Sequence, residues 1–222
     1  MLTQSFFNRD PQIVAQALLG KVLRVKSGSF LLSARIIETE AYYLVDKASH
    51  ASLGYTEKRK ALFMPAGTIY MYYARGGDSL NVSCQGDGNA VLIKSGFPFV
   101  SLDAPIKPIT EMAMLNEMQR LNPKISRLRE IQELCNGQTL LCRSLGLKVP
   151  DWNQKNFIKD VFYIEDVGYK PHQIIQTTRL GIPKGRDEDL PYRFIDYEYA
   201  SYCTSNPLRK RQTPKLILHT CE

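Results

Sequence analysis

Between Lys21 and Tyr43 the chain reads KVLRVKSGSFLLSARIIETEAYY, two runs of β-forming residues divided by the polar cluster KSGS. Such runs with a short Gly/Ser break between them make a β-hairpin. This hairpin constrains the fold most, because it commits the chain to an antiparallel sheet. Its end, IIETEAYY at 36–43, is unusual. Strands are depleted in glutamate, yet Glu38 and Glu40 stand two apart and two tyrosines follow. In a strand, residues i and i+2 share a face. Glu38, Glu40 and Tyr42 therefore line one face, and Thr39, Ala41 and Tyr43 the other.

The pattern returns in TIYMYYARGGDSLNVSCQGDGNAVLIKSG, where RGGDS and QGDGN break three further strand-like runs. Here Tyr70 and Tyr72 share a face, with Met71 and Tyr73 opposite. Asp10 followed by Pro11 starts a helix over 11–19 that ends at Gly20. The middle of the chain is helical: 110–121 from a Thr cap, 126–137 from Ser126 to Asn136–Gly137, then QTLLCRSLGL with Gly146 at its end. Strand character resumes after Pro150 in DVFYIED, IIQTTRLGI and YRFIDYEYA. There is no internal repeat and no linker. The expected architecture is one α+β domain over residues 1–205, a mostly antiparallel, curved, open-barrel-like sheet flanked by helices. Residues 206–222 form a basic tail, expected to be loosely held.

With 222 residues, 44% of them apolar, the chain can bury a substantial core. No run approaches the ~20 apolar residues needed to span a bilayer. The N-terminus MLTQSFFNRDPQ lacks the basic start and apolar core of a secretory signal. Five cysteines occur without a CxxC, and the three histidines are scattered, so no metal site is expected. Reduced thiols in a cytoplasmic protein, nucleoid-associated if bacterial, are the expectation. The net charge of +7 favours a polyanionic partner.

An acid beside stacked tyrosines suits a flat, electron-poor ring, gripped by π faces while the acid acts next to it. The plainer reading of the same pattern is amphipathic strands whose tyrosines rim a core. The segments ARIIETEAYY, ASHAS, FMPAGTIYMYYARGGDSLNVSCQGDGNAVLIKSG, ELCNGQTLLCRSLGL and TTRLGIPKG…LPYRFI, taken in this order, resemble the alkyladenine (3-methyladenine, methylpurine) DNA glycosylase family. The likeness runs from about residue 15 to about residue 200, and the succession of segments carries it.

That resemblance implies a monofunctional repair enzyme acting on double-stranded DNA that contains damaged purines. It implies Glu40 as general base, activating a water that attacks the anomeric carbon and leaves an abasic site. Glu38, about 7 Å along the strand, is expected to hold a structural ion pair. Extruding a base costs a few kcal/mol, and stacking returns roughly 1–3 kcal/mol per base. The resemblance assigns that stacking to Tyr42 and Tyr72, with His50 closing the pocket. By the same resemblance Asn81 matches a family position at the pocket floor, where a side chain crowds the exocyclic amine of guanine. Lys94 stands where the family often has an arginine near the catalytic water, and the resemblance implies that place for it. Arg75 matches the place from which many members insert an aromatic wedge, in a hairpin one residue shorter here. Tyr73, Arg75 and Gly76 of this hairpin, and the loop cations Lys58, Arg59, Lys184 and Arg186, are expected at the DNA. No metal or organic cofactor and no membrane are implied, and a monomer suffices.

Two other classes fit parts of the pattern. A non-catalytic nucleic-acid-binding module would use the same aromatic platform and release no base. A nucleoside hydrolase would act on free nucleosides, and the positive charge argues against it.

Overall fold

The computed structural model describes residues 1–74, 77–100, 107–118, 129–209 and 217–220. Two helices open the chain, α1 (Gln4–Phe7) and α2 (Pro11–Leu18). The Asp10 carboxylate accepts the Gln12 N–H at 2.8 Å and Pro11 fills the first helical position, so the cap forms as the sequence predicts. Pro11, Val14, Ala15 and Leu18 are buried at helical spacing. Gly20 then turns the chain at φ +83°, and a Cβ there would lie 2.5 Å from the Tyr169 ring. Only glycine meets both demands.

The hairpin of β1 (Val22–Ser27) and β2 (Phe30–Tyr42) follows. Next come β3 (Ile69–Ala74), β4 (Gly77–Ser83) and β5 (Ala90–Pro98), then α3 (Lys107–Met118), α4 (Gln138–Ser144) and α5 (Val149–Trp152). The last strands are β6 (Phe162–Glu165), β7 (Gln173–Thr177), β8 (Arg193–Asp196) and β9 (Ile217–Thr220). All pairings are antiparallel in the order β3-β4-β5-β2-β8-β7-β9, with β1 on β2 and β6 on β1. The sheet is open, and with its helices it makes one α+β domain. Within the C-terminal stretch, β9 pairs with β7.

Two helix expectations need correction. Thr110 does not cap α3, which begins at Lys107, so Thr110 lies inside it. Pro108 in its first turn tolerates the missing N–H there. In the described part of 126–137 the only helical turn is a 3-10 turn at Ile131–Glu133, and Gly137 at φ +96° serves as the N-cap of α4. Ser126 lies outside the described residues.

The central strand β2 changes phase halfway. Leu32, Ala34 and Ile36 belong to the main core, as does Ala41, and the Thr39 hydroxyl donates to the Ala15 carbonyl of α2 at 2.8 Å. Core-facing positions are therefore even before residue 37 and odd after it. The register with β5 slips at this point, between Ile36 and Glu38 and again between Glu38 and Thr39. Ile37 joins a second cluster with Ile175, Ile195, Ala200 and Cys203. An extra residue in one strand of a ladder resets which face each side chain takes. The slip turns Glu38, Glu40 and Tyr42 away from the core that Ile36 enters.

Candidate active site

Glu40 is wholly buried near the end of β2 and accepts three contacts. The Lys94 ammonium, from β5, lies 3.3 Å from Oε1. The Leu180 backbone N–H donates to Oε1 at 3.2 Å, and the Tyr42 hydroxyl donates to Oε2 at 2.7 Å. Burial pushes the Glu40 carboxyl up, but the Lys94 charge, the Tyr42 and Leu180 hydrogen bonds and the Arg193 charge more than offset it. Its pKa falls below the ordinary value, so Glu40 is a carboxylate at neutral pH and can accept a proton.

Glu38, two residues earlier, is equally buried but differently occupied. The Arg193 Nε donates to its Oε1 at 2.6 Å. The Ser95 hydroxyl and the Thr204 N–H, the latter at 3.2 Å, donate to Oε2. Arg193 also donates to the Ser205 carbonyl at 2.8 Å. Glu38 thus ties β2, β5, β8 and the segment after β8 together, in the structural ion pair expected of it.

Above Glu40 opens a cavity of about 660 Å³, within the range of small-molecule sites. Tyr42, Lys94 and Leu180, the three groups that contact Glu40, line it, and the carboxylate sits behind them. The cavity is also lined by His50, Tyr72 and Asn81. Tyr70 and Tyr72 stack with ring centroids 5.5 Å apart, as their shared face predicts. The His50 ring meets the Tyr72 ring edge-on at 4.4 Å, and its Nδ1 pairs with the Tyr70 hydroxyl at 2.9 Å. Burial, then the Arg59 and Arg186 charges, lower the His50 pKa, so its ring is neutral at pH 7. Asn81 is buried in β4 and donates its amide to the Tyr70 carbonyl at 3.2 Å.

The start of α4 forms another part of the wall. Gln138, Thr139 and Leu140 line the cavity, and α4 comes so close to β4 that a Cβ on Gly77 would lie 2.2 Å from the Thr139 methyl. Leu180–Pro183 form a further part of the lining.

Of the residues expected at DNA, Tyr73 and Arg186 line the cavity, and Tyr73 is 65% exposed. Arg186 donates through Nε to the Lys47 carbonyl at 2.8 Å. Lys58 and Lys184 are exposed and stand apart from the cavity lining, and Arg59 donates to the Leu53 and Gly54 carbonyls. Arg75 and Gly76 lie outside the described residues. Among the described residues no three His, Cys, Asp or Glu side chains cluster as metal ligands, and no helix is long and apolar enough to cross a membrane.

Sequence reasoning missed Arg179, Leu180 and Arg193. Leu180 acts through its backbone, which no side-chain pattern reveals. Arg193 and Arg179 are cations inside strand-rich segments, and an arginine that is only 2% or 4% exposed needs a buried partner. Charges in YRFIDYEYA and IIQTTRLGI were therefore a usable signal.

The arrangement is a buried carboxylate behind an aromatic-walled cavity, with a cation beside it. The family model for methylpurine-DNA glycosylase matches residues 5–200. A protein of Pseudomonas aeruginosa named "Putative 3-methyladenine DNA glycosylase" is 59% identical over 95% of this chain and 86% of its own length. One of the same name from Pseudomonas syringae pv. tomato is also 59% identical, over 95% of this chain and 92% of its own. A more distant one from Koribacter versatilis is 37% identical over 87% of this chain and 88% of its own. With its sheet, its buried carboxylate and these relatives in agreement, the chain belongs to the methylpurine-DNA glycosylase family.

Proposed function

We propose that the protein excises alkylated or deaminated purines from double-stranded DNA by hydrolysing the N-glycosidic bond. The observation that carries this reading is the ionised, wholly buried Glu40 directly behind an aromatic cavity. The damaged nucleotide leaves the helix and its base enters the cavity. There it stacks against Tyr42, Tyr72 and His50 while Asn81 bounds the floor. Because His50 is neutral, it adds no repulsion to a positively charged alkylpurine, and the tyrosine faces attract one.

A water between Glu40 and the sugar loses its proton to the carboxylate as its oxygen bonds to the anomeric carbon. The C–N bond breaks and the purine takes the electron pair. Glu40 Oε1 faces Lys94 and Oε2 faces Tyr42, so the water needs a place beside Oε1. Lys94 lines the cavity and its flexible stem lets the ammonium move aside toward a phosphate. Lys58, Arg59, Lys184 and Arg186 supply backbone charge contacts without reading sequence. Tyr73, exposed at the rim, meets the duplex where the base has left.

Base release from duplexes bearing hypoxanthine or methylated adenine, with single strands and free nucleosides alongside, tests this. Release from lesion duplexes that vanishes in Glu40→Gln is the expected result. Tight binding without release would identify a binding module, and activity confined to free nucleosides a nucleoside hydrolase. Borohydride trapping of a covalent enzyme–DNA adduct would replace the water by Lys94 as nucleophile.

A further inference from the structure

Arg179 lies just past β7 with a side chain entirely removed from solvent. Its Nη1 pairs with Asp46 at 2.8 Å and donates to the Ala41 carbonyl at 3.0 Å. Its Nη2 reaches the Asp187 carbonyl at 3.4 Å. Its Nε is buried with no hydrogen-bond partner among the described residues. The guanidinium is instead held by ring faces. Its carbon lies 4.6 Å from the Tyr42 ring centre and 5.3 Å from that of Tyr192. A buried arginine that gives up one donor to sit between two tyrosines is costly unless the stack has a use.

Glu40 shows the use. Its two uncharged donors are the Leu180 N–H and the Tyr42 hydroxyl. Leu180 is the next residue after Arg179, and Tyr42 lies against the guanidinium face. The Ala41 carbonyl that Arg179 grips belongs to the peptide leading into Tyr42, and Asp46 also accepts the Tyr43 N–H at 3.0 Å. We infer that Arg179 is a positioning residue: it clamps the end of β2 to the segment after β7, and so holds both uncharged donors on Glu40 and the Tyr42 ring at the cavity wall. The inference rests on the proposed role of Glu40 as base. The other groups facing Glu40 are Lys94 from β5, Arg193 from β8 and Tyr72 from β3, and among the described residues no hydrogen bond, ion pair or ring stack joins Arg179 to any of them. Loosening the clamp therefore removes hydrogen bonds to the carboxylate and leaves its burial and its cations in place. The carboxyl then holds its proton at higher pH.

The test is single-turnover release of hypoxanthine from a duplex between about pH 3.5 and 8, with thermal melting to confirm folding. The variants are Arg179→Lys, which keeps a charge opposite Asp46, and the double variant Asp46→Asn/Arg179→Met, which leaves no lone buried charge. Both are expected to lose roughly ten- to hundredfold in rate at neutral pH, and the acid limb of the rate to move up by about one pH unit. A rate within about twofold of wild type, or a slower rate with an unmoved acid limb, overturns the inference. Glu40→Gln in the same series separates the two claims. If it still releases base, the assignment of Glu40 fails, whereas an inactive Glu40→Gln beside unaltered Arg179 variants defeats the clamp alone.

Discussion

Replacing each acid of the ETE stretch by its amide should separate catalysis from stability. In Glu40→Gln the amide keeps shape and can accept the Leu180 N–H. The lost attraction is that of Lys94 at 3.3 Å, about 5 kcal/mol at an effective dielectric near 20. Most of that is offset, because the variant no longer desolvates a carboxylate and Lys94 lines the cavity where water reaches it. A net loss of about 1–2 kcal/mol is expected, a few degrees in Tm for a chain of this size. Excision should fall by roughly 10²–10⁴, about 3–5 kcal/mol in the barrier, with lesion-duplex binding nearly unchanged. In Glu38→Gln the balance reverses. Arg193, only 2% exposed, loses the partner it holds at 2.6 Å. Breaking a buried pair from one side costs about 3–5 kcal/mol, so Tm should drop by roughly 10 °C or more. Folded Glu38→Gln should keep excision within about tenfold of wild type. Single-turnover base release, lesion-duplex titration and thermal melting read all three quantities. Excision by Glu40→Gln within tenfold of wild type would refute the reasoning, as would a Glu38→Gln protein as stable as the parent.

Other perturbations bear on the remaining parts of the site. Glu40 has a depressed pKa, so its contribution to stability is present above the ordinary carboxylate value and is lost as pH falls through the lowered one. Lys94→Met removes the largest lowering influence, and melting between about pH 4 and 7 should show stability lost at higher pH than in wild type. Gly77→Ala forces a methyl against Thr139, costing about 1–3 kcal/mol, and should weaken lesion binding because Thr139 lines the cavity. Unchanged melting would mean that α4 yields freely. Affinity for DNA should fall linearly with log salt, and Lys184→Ala should reduce the slope by about one. A flat salt response would remove the phosphate footprint.

Local chemistry in the sequence was enough for much of this. The KSGS turn, the Asp10–Pro11 cap and the alternation of IETEAY each depend on neighbours within a few residues. These correspond to the first hairpin, to α2 and to the grouping of Glu38, Glu40 and Tyr42. The start of α3 was misplaced because a Thr inside a helix resembles a cap when nothing beyond the segment is known. Alternation also could not say which face was the core. The adjacent Ile36 and Ile37 hint at a break in phase, but the register slip against β5 is what turns the acids outward. Nor could it rank two buried glutamates, which differ only in what long-range packing brings to them. Arg193 from 155 residues away makes Glu38 structural, while Lys94, Tyr42 and the Leu180 N–H, the last from 140 residues away, keep Glu40 ionised behind the cavity. Likeness to the family singled out Glu40 from sequence, and the distances show how the surroundings of the two glutamates differ. Short-range propensity wrote the strands, and contacts between distant segments, which no local pattern encodes, decided what surrounds each carboxylate.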